Sequence, residues 1–519
     1  MKDGIPKEAK PRHLVLATID ESLRPLSLRV LGAYAQAKGV KTTLLVVIKD
    51  LARIGHPITF SDSEIRQVAA FLEREGVTHL GFYLMTASLK PYALMVKALR
   101  ARGFKGVIMA GGVHATLCPE ESLVEGADFA VQGWGELPLE MILAGKDPST
   151  IPGLVWRKGS AVQINKTAPE QKKDLNALPF PIFRFGEDRV LVKGRLRRLT
   201  PRLNRLYADW HGKYYDLVTS RGCVYQCAYC CNVNGAPVHR ASVDHVIGEL
   251  KHLREAAPGI AGINIQDDSF YAGSEEWIAE FSARMKAEVG LPFITRMIPR
   301  YVTAERLEVL KAGGLQYVTM GLEASDRMNK TLFNRHETAA SFVKAARLVL
   351  EAGLYLSVDI LIDNPYEKED DLREMACTLN SLPRPNWGIV SLSLTPFPNT
   401  PLFARCVKDH MLERFATDAY DAMLHPSREG GYRTPRFWLL LNTVVLPRLS
   451  ETMGARLIEM GPRNAAAVQM VERLARWMST TRRLTTWLRD RTPWLYGGVY
   501  FVLRLFAGKH HQPKAIRLG

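Results

Sequence analysis

From His13 to about Leu143, short and nearly continuous apolar runs alternate with segments whose apolar residues recur every three or four positions. HLVLATI is followed by SLRVLGAYAQAKG, and TTLLVVI by the charged amphipathic stretch Asp62–Gly76. THLGFYLMT, KPYALMVKALRAR, GVIMAGG and DFAVQG continue the series. Runs that are apolar throughout predict strands buried on both faces, and their alternation with helical segments predicts βαβ units. Five alternations describe a doubly wound, Rossmann-like parallel sheet over residues 1–150, whose ligand lies beyond the carboxyl ends of the strands. Residues 151–210 lose the alternation, contain PFPIF and KGRLRRLTPRLNR, and read as a linker with some structure of its own. From Tyr215 it returns. DLVTSRG, GINIQDDSF, PFITRMI, YVTMGLE and LYLSVDILI alternate with helices at Val243–Ala256 and Glu275–Glu288 and from Thr303, Ala339 and Glu367. About six units over 211–400 predict a (β/α)6 partial TIM barrel with its chemistry at the strand ends. Residues 401–519 have no strand alternation and read as a basic, mainly helical region.

The length, 519 residues, allows about three domains at roughly 150 residues each. With 47% hydrophobic and 24% charged residues the chain is globular, and a disordered or fibrous class is excluded. The formal charge of +16 is uneven, because residues 401–519 hold 19 Lys and Arg against 9 Asp and Glu. The apolar run near the N-terminus is cut short by Asp20 and Glu21, which is too brief for a signal peptide, and no run reaches about 18 uncharged apolar residues. The expectation is a cytoplasmic α/β protein that does not span a membrane.

Seven cysteines are too few for a disulfide framework in a chain of this length. Three of them, Cys223, Cys227 and Cys230, lie in TSRGCVYQCAYCCN just after the first strand of the second series, with three and then two residues between them. A structural zinc usually takes four protein ligands, whereas three thiolates on one loop leave one iron of a 4Fe-4S cube open for a small ligand. A structural zinc or buried core cysteines are the alternatives. Cys231 is adjacent but is read as a non-ligand, since neighbouring residues rarely reach one cluster.

The loop, with Tyr229 before its last cysteine, resembles the signature of radical S-adenosylmethionine enzymes. QDDSF (Gln266–Phe270), MGLEAS (Met320–Ser325) and VDILIDNPYEKEDDL (Val358–Leu372) extend the likeness at similar intervals. The resemblance implies that the open iron is chelated by the methionine end of S-adenosylmethionine and that the cofactor is cleaved reductively to a 5′-deoxyadenosyl radical. It places Tyr229, Asp267, Glu323, Ser357 and Asp359 at the cofactor. Glu323 would accept hydrogen bonds from its ribose or ammonium group, and a structural carboxylate is the alternative. Of Asp267 and Asp268, Asp267 is assigned to the cofactor, with Asp268 able to cap the following helix. DNPYE (Asp363–Glu367) stands where many relatives have glycine-x-proline-glycine-glutamate.

The first domain contains no GxGxxG or Walker sequence, which disfavours dinucleotides and NTPs. Its MAGGVHATLCPEE (Met109–Glu121) and FAVQGWGELPLE (Phe129–Glu140) resemble segments of cobalamin-binding domains fused to radical S-adenosylmethionine barrels, and RPLSLRVLGAYAQAKG resembles their first helix. Gly111, Gly112, Val113 and His114, with Gly133, Gly135 and Glu136, are then expected around the corrin, the glycines allowing close backbone approach. The Asp-x-His-x-x-Gly motif that supplies a lower axial histidine elsewhere is absent.

The resemblance implies an enzyme with three cofactors, a 4Fe-4S cluster, S-adenosylmethionine and cobalamin, and reduced flavodoxin or ferredoxin as electron donor. Methylation of an unactivated carbon is the preferred reaction, and radical cyclisation or rearrangement without net methyl transfer the runner-up. Phe437–Leu449 and Val471–Phe506 mix Trp, Leu and Arg, a pattern that can lie on anionic lipid. This points to a lipid or other small hydrophobic substrate, such as a hopanoid, and to peripheral contact with the inner membrane face. A helical cap on the barrel explains the same residues equally well. An RNA-modifying relative would bring further cysteines at the N-terminus, yet residues 1–200 contain only Cys118 and no stacking RNA module, so no nucleic acid is expected.

Overall fold

The computed structural model describes residues 12–491 except 21–22, 24–25, 50–57, 168–173, 209–212, 232–236, 258, 271–273 and 416–432, and for 481–491 the backbone alone. Two parallel sheets organise it. The first contains β1 (His13–Asp20), β2 (Lys41–Ile48), β3 (His79–Tyr83), β4 (Val107–Gly111), β5 (Phe129–Val131), β6 (Leu154–Lys158), β7 (Ala161–Ile164), β8 (Arg189–Val192) and β9 (Arg195–Arg198). Their order is β7-β6-β5-β4-β3-β1-β2-β8-β9. The central five are parallel. Their order reverses between β1 and β3, which opens a crevice at the carboxyl ends. β1 is buried from His13 to Ile19, as a strand covered by helices on both faces must be.

Residues 151–210 differ from the expected linker. Four of their segments extend the first sheet: β6 and β7 as an antiparallel ribbon on β5, and β8 parallel to β2 with β9 antiparallel beyond it. β9, at one sheet edge, is RLRR, and its charges weaken the apolar signal and discourage pairing with another chain, while β7 at the other edge is only four residues long.

In the second unit β10 (Tyr214–Leu217) is followed by a small antiparallel ladder, β11 (Ser220–Arg221) with β12 (His239–Arg240). Then come β13 (Gly262–Ile265), β14 (Phe293–Arg296), β15 (Leu315–Glu323), β16 (Tyr355–Ile362) and β17 (Trp387–Ser393). The order β10-β13-β14-β15-β16-β17 is all parallel, six strands of an open barrel. Ser242, Ser274, Thr303, Ser325 and Thr338 each accept a backbone N–H at a helix start, which fixes where helices begin and where the loops at the strand ends must turn.

The C-terminal helices close the barrel from outside. Phe437, Trp438, Leu441, Val445 and Leu446 join the same core as Val358 and Leu372, and Trp438 is 1% exposed. Phe437–Leu449, read from sequence as possible lipid-facing residues, is therefore in large part core. In the long helix Ala465–Arg491 the stripe Ala467, Val471, Ala475 and Met478 is buried while Trp477 is 62% exposed. Residues 492–506 of the second tail segment lie outside the described residues. Among the described residues no helix is long and apolar enough to cross a membrane.

Candidate active site

The cysteine loop leaves β11 through Gly222, whose φ of +105° is open to glycine and strained for other residues. Cys223 Sγ accepts the Tyr225 N–H at 3.4 Å, Cys227 Sγ accepts from Arg335 Nη1 at 3.8 Å, and the Cys230 N–H donates to the Cys227 carbonyl at 3.0 Å. The loop is sewn to distant elements: the Ala228 N–H donates to Phe333 O at 2.8 Å and Asn334 Nδ2 to Gln226 O at 3.2 Å. Burial pushes the Cys223 thiol above its ordinary pKa. The three thiols do not close on a single point. Among the described residues the one group of three donors mutually within 4.8 Å is His114, Cys118 and Glu121. Three thiols on one loop are the donor set of a cluster with one iron left open, whereas a structural zinc usually takes four protein ligands.

Asp267, assigned from sequence to the cofactor, is turned the other way. Its carboxylate accepts the Thr219 N–H at 2.6 Å, the Ser220 N–H at 3.1 Å and both hydroxyls at 2.5 and 2.7 Å. With all these bonds made it fixes the entry to the cysteine loop instead of facing a ligand. Asp268, next along the chain, accepts the Gly222 N–H at the start of the cysteine loop.

Glu323, Tyr229 and Asp359 converge at the carboxyl end of the barrel. Glu323 ends β15 with φ +63° and a side chain 13% exposed, 3.9 Å from Arg335 Nη1 and hydrogen-bonded by Tyr229. Burial raises its pKa and Arg335 opposes the rise. Asp359 is pushed up to about 7, first by burial and then by the negative charge of Glu323, with Arg296 and Arg335 pulling the other way. Ser357 lies two residues back on β16, where it is hydrogen-bonded to Tyr317 and buried. Below the mouth Asp216 accepts from Asn264 at 2.7 Å and Gln266 at 3.0 Å, and Arg296 donates to Gln266.

Arg335 is the site residue that motif reading missed. Its guanidinium donates to Gly321 O at 3.0 Å and lies against both Glu323 and Cys227, joining the carboxylate at the end of β15 to the cysteine loop. It comes from FNRHE, 108 residues beyond Cys227, and only the short helix Asp326–Thr331 after β15 brings it back. Asp363, at the first glycine position of the family pattern, has φ +62°, the backbone that glycine would supply. Bonds from the Arg433 N–H at 2.7 Å, the Thr434 N–H at 3.0 Å and Ser393 Oγ at 2.5 Å hold it there.

A cavity of about 280 Å³, open at its mouth, occupies the crevice of the first sheet. Gly111, Gly112, Val113, Gly133, Gly135 and Glu136 line it. Gly112 has φ +105°, and a Cβ there would meet the Tyr83 ring at 2.7 Å and Leu84 O at 2.9 Å. A Cβ on Gly111 would have nothing closer than 4.0 Å. Leucines and prolines form much of the remaining wall, so the space suits a broad, flat apolar macrocycle. His114, also expected here, is not among the lining residues. Its fully buried ring lies behind the wall, with Nδ1 3.2 Å from Thr86 Oγ1.

The barrel supplies the opposite wall through Val218, Arg221, Ala241, His245 and Glu249. Arg221, two residues before Cys223, pairs with Glu136 at 2.9 Å and lies 4.4 Å over the Trp134 ring. Glu249, hydrogen-bonded by Tyr215 at 2.6 Å, is pushed up to about 7 by burial. Through Arg221 the strand that leads into the cysteine loop reaches the cavity that the glycines floor.

A parallel-stranded open barrel with a three-thiol loop after its first strand, joined to a doubly wound domain, defines a two-part cofactor enzyme. The family model for the Radical SAM superfamily matches residues 217–378 and that for the B12 binding domain matches 12–143, together more than half the chain. The chain belongs to the cobalamin-dependent radical S-adenosylmethionine enzymes, and its cofactors are a 4Fe-4S cluster, S-adenosylmethionine and cobalamin. Among curated relatives, anaerobic magnesium-protoporphyrin IX monomethyl ester cyclase of Cereibacter sphaeroides is 23% identical over 312 residues, 56% of this chain and 47% of that protein. The chain thus spans under half of that relative's length. Hopanoid C-3 methylase of Methylococcus capsulatus is 21% identical over 376 residues, 69% of this chain and 67% of that protein. Of solved structures, the radical S-adenosylmethionine methyltransferase TsrM from Kitasatospora setae has a TM-score of 0.62 at 20% identity, covering 77% of this chain and 76% of that one. The cobalamin-dependent enzyme OxsB has a TM-score of 0.56 at 17% identity, covering 77% and 56%. At these identities the two structures establish the fold.

Proposed function

We propose that this enzyme methylates an unactivated carbon of a small hydrophobic substrate, of the size and polarity of a polyprenoid lipid such as a hopanoid. The observation that carries this reading is the apolar cavity between the glycine-floored crevice and the barrel, whose barrel wall includes Arg221, two residues before Cys223. When bound, the cluster with S-adenosylmethionine supplies hydrogen abstraction and the corrin supplies the methyl group.

The protein's own residues position and neutralise. Cys223, Cys227 and Cys230 hold three irons. Glu323 and Tyr229 accept and donate hydrogen bonds at the cofactor's polar end, and Arg335 opposes the rise that burial gives the pKa of Glu323. Gly111, Gly112, Val113, Gly133 and Gly135 let the corrin lie against backbone. The leucine-rich walls exclude water, which protects a carbon radical from side reactions. Reduced flavodoxin or ferredoxin supplies the electron, and the basic C-terminal region provides any peripheral contact with a membrane face.

The test is anaerobic reconstitution followed by turnover with methyl-deuterated S-adenosylmethionine and candidate polyprenoids. Deuterated methyl in the product together with 5′-deoxyadenosine supports the reading. The match to the cyclase favours one second reading, radical cyclisation without net methylation. Formation of 5′-deoxyadenosine with a rearranged, unlabelled product would select it.

A further inference from the structure

We infer that His114, Cys118 and Glu121 form a second metal site, distinct from the cysteine loop, that binds one zinc ion. The three residues offer a nitrogen, a sulfur and a carboxylate oxygen mutually within 4.8 Å, and His114 Nε2 lies 3.8 Å from Glu121 Oε2. Zn–N, Zn–O and Zn–S bonds of about 2.0–2.3 Å put tetrahedral ligand atoms within about 4 Å of one another, so small rotations of Cys118 and Glu121 close the site. A mixed nitrogen, sulfur and oxygen set suits a borderline ion, and harder cations such as magnesium would leave the thiol unused.

The chain places these donors by construction. They occur at intervals of four and three residues, and the short helices Val113–Leu117 and Pro119–Ser122 fold back so that all three face one point. Thr86 Oγ1, 3.2 Å from His114 Nδ1, fixes the ring so that Nε2 faces Glu121. Such a partner on the other ring nitrogen is the usual arrangement behind a ligating histidine. His114 and Cys118 are buried, whereas the Glu121 side chain is 48% exposed and leaves a way in for the ion.

The barrel reaches the site as well. Asn399, in the loop after β17, donates Nδ2 to Leu117 O at 2.7 Å and to Cys118 Sγ at 3.6 Å. An ion held here ties the Gly111–His114 turn of the corrin crevice to the barrel, and it gives His114 a role away from cobalt. The site does not depend on which reaction the enzyme performs.

The test uses the full chain, reconstituted anaerobically with iron, sulfide and cobalamin and then equilibrated with one equivalent of zinc. Elemental analysis is expected to find about one tightly held zinc per chain in addition to cluster iron, and X-ray absorption at the zinc edge to find a single sulfur neighbour with nitrogen and oxygen. Cys118→Ser should lose the zinc with iron content and corrin absorbance unchanged. Glu121→Gln, at a half-exposed position that folding tolerates, should weaken zinc about tenfold or more in chelator competition. No retained zinc in the wild-type chain would overturn the inference. So would three sulfur neighbours, or zinc kept by both variants and lost on replacing Cys223, Cys227 and Cys230 together.

Discussion

Both halves of the molecule present ligands at the carboxyl ends of parallel strands, yet they are built from opposite materials. The crevice of the first sheet is floored by glycines and walled by leucine and proline, with Glu136 and Arg221 paired across its edge. The mouth of the barrel is crowded with charge: Glu323, Asp359, Arg335 and Arg296 act on one another within a largely buried layer. A corrin is large and flat, so its binding grows with apolar area at about 25 cal/mol per Å² and is limited by any Cβ in the way. S-adenosylmethionine is small and charged, so its binding depends on paired charges in a low dielectric. The crevice should therefore fail by steric change and the mouth by loss of charge.

The largest effect is expected at the cysteine loop. Cys227→Ser should remove the cluster and bring 5′-deoxyadenosine formation to background while corrin absorbance persists; joint loss of both cofactors would break the division. Next, Glu323→Gln removes a charged acceptor, about 1.5–3 kcal/mol, and should weaken S-adenosylmethionine about 10- to 100-fold. That affinity can be read from the change the cofactor induces in the cluster's electron paramagnetic resonance spectrum. Gly112→Ala should cost about 1–3 kcal/mol in backbone strain, besides the clash with Tyr83, and lower corrin occupancy, whereas Gly111→Ala should leave thermal stability nearly unchanged.

A subtler contrast is pH dependence. The pKa of Asp359 is raised to about 7, so the stability it contributes is fully present below about 4 and is lost as pH rises through about 7. Asp359→Asn should therefore gain on the wild type in melting temperature between about pH 4 and 8. The smallest effect is expected for Glu136→Gln, which removes the charge from one side of a largely buried pair while keeping its shape, and should alter corrin affinity only a few-fold.

Legibility followed the range of the physical signal. The spacing of Cys223, Cys227 and Cys230 is local, and the strands of the first series announce themselves by nearly continuous apolar runs. The glycines of the crevice were legible because a left-handed turn at Gly112 admits little else. β6–β9 were not, because edge strands such as Arg195–Arg198 are short and charged and mimic a linker. Asp267 and Asp268 could not be told apart in the sequence, because their partners Thr219, Ser220 and Gly222 lie almost fifty residues away. Arg335 gave no signal because its partners are distant in sequence, and Phe437–Leu449 suits a protein core as well as a lipid surface until its neighbours are known. His114 carried a family motif, but only packing shows that its ring turns from the cavity.

The central claim is that three thiolates hold an iron cluster with one open corner beside a corrin. Electron paramagnetic resonance of the reduced, reconstituted chain, before and after adding S-adenosylmethionine, tests it most directly. The expected result is a 4Fe-4S signal whose g values shift on addition, in protein that also shows corrin absorbance. A signal indifferent to S-adenosylmethionine, or zinc in place of iron at Cys223, Cys227 and Cys230, would contradict it.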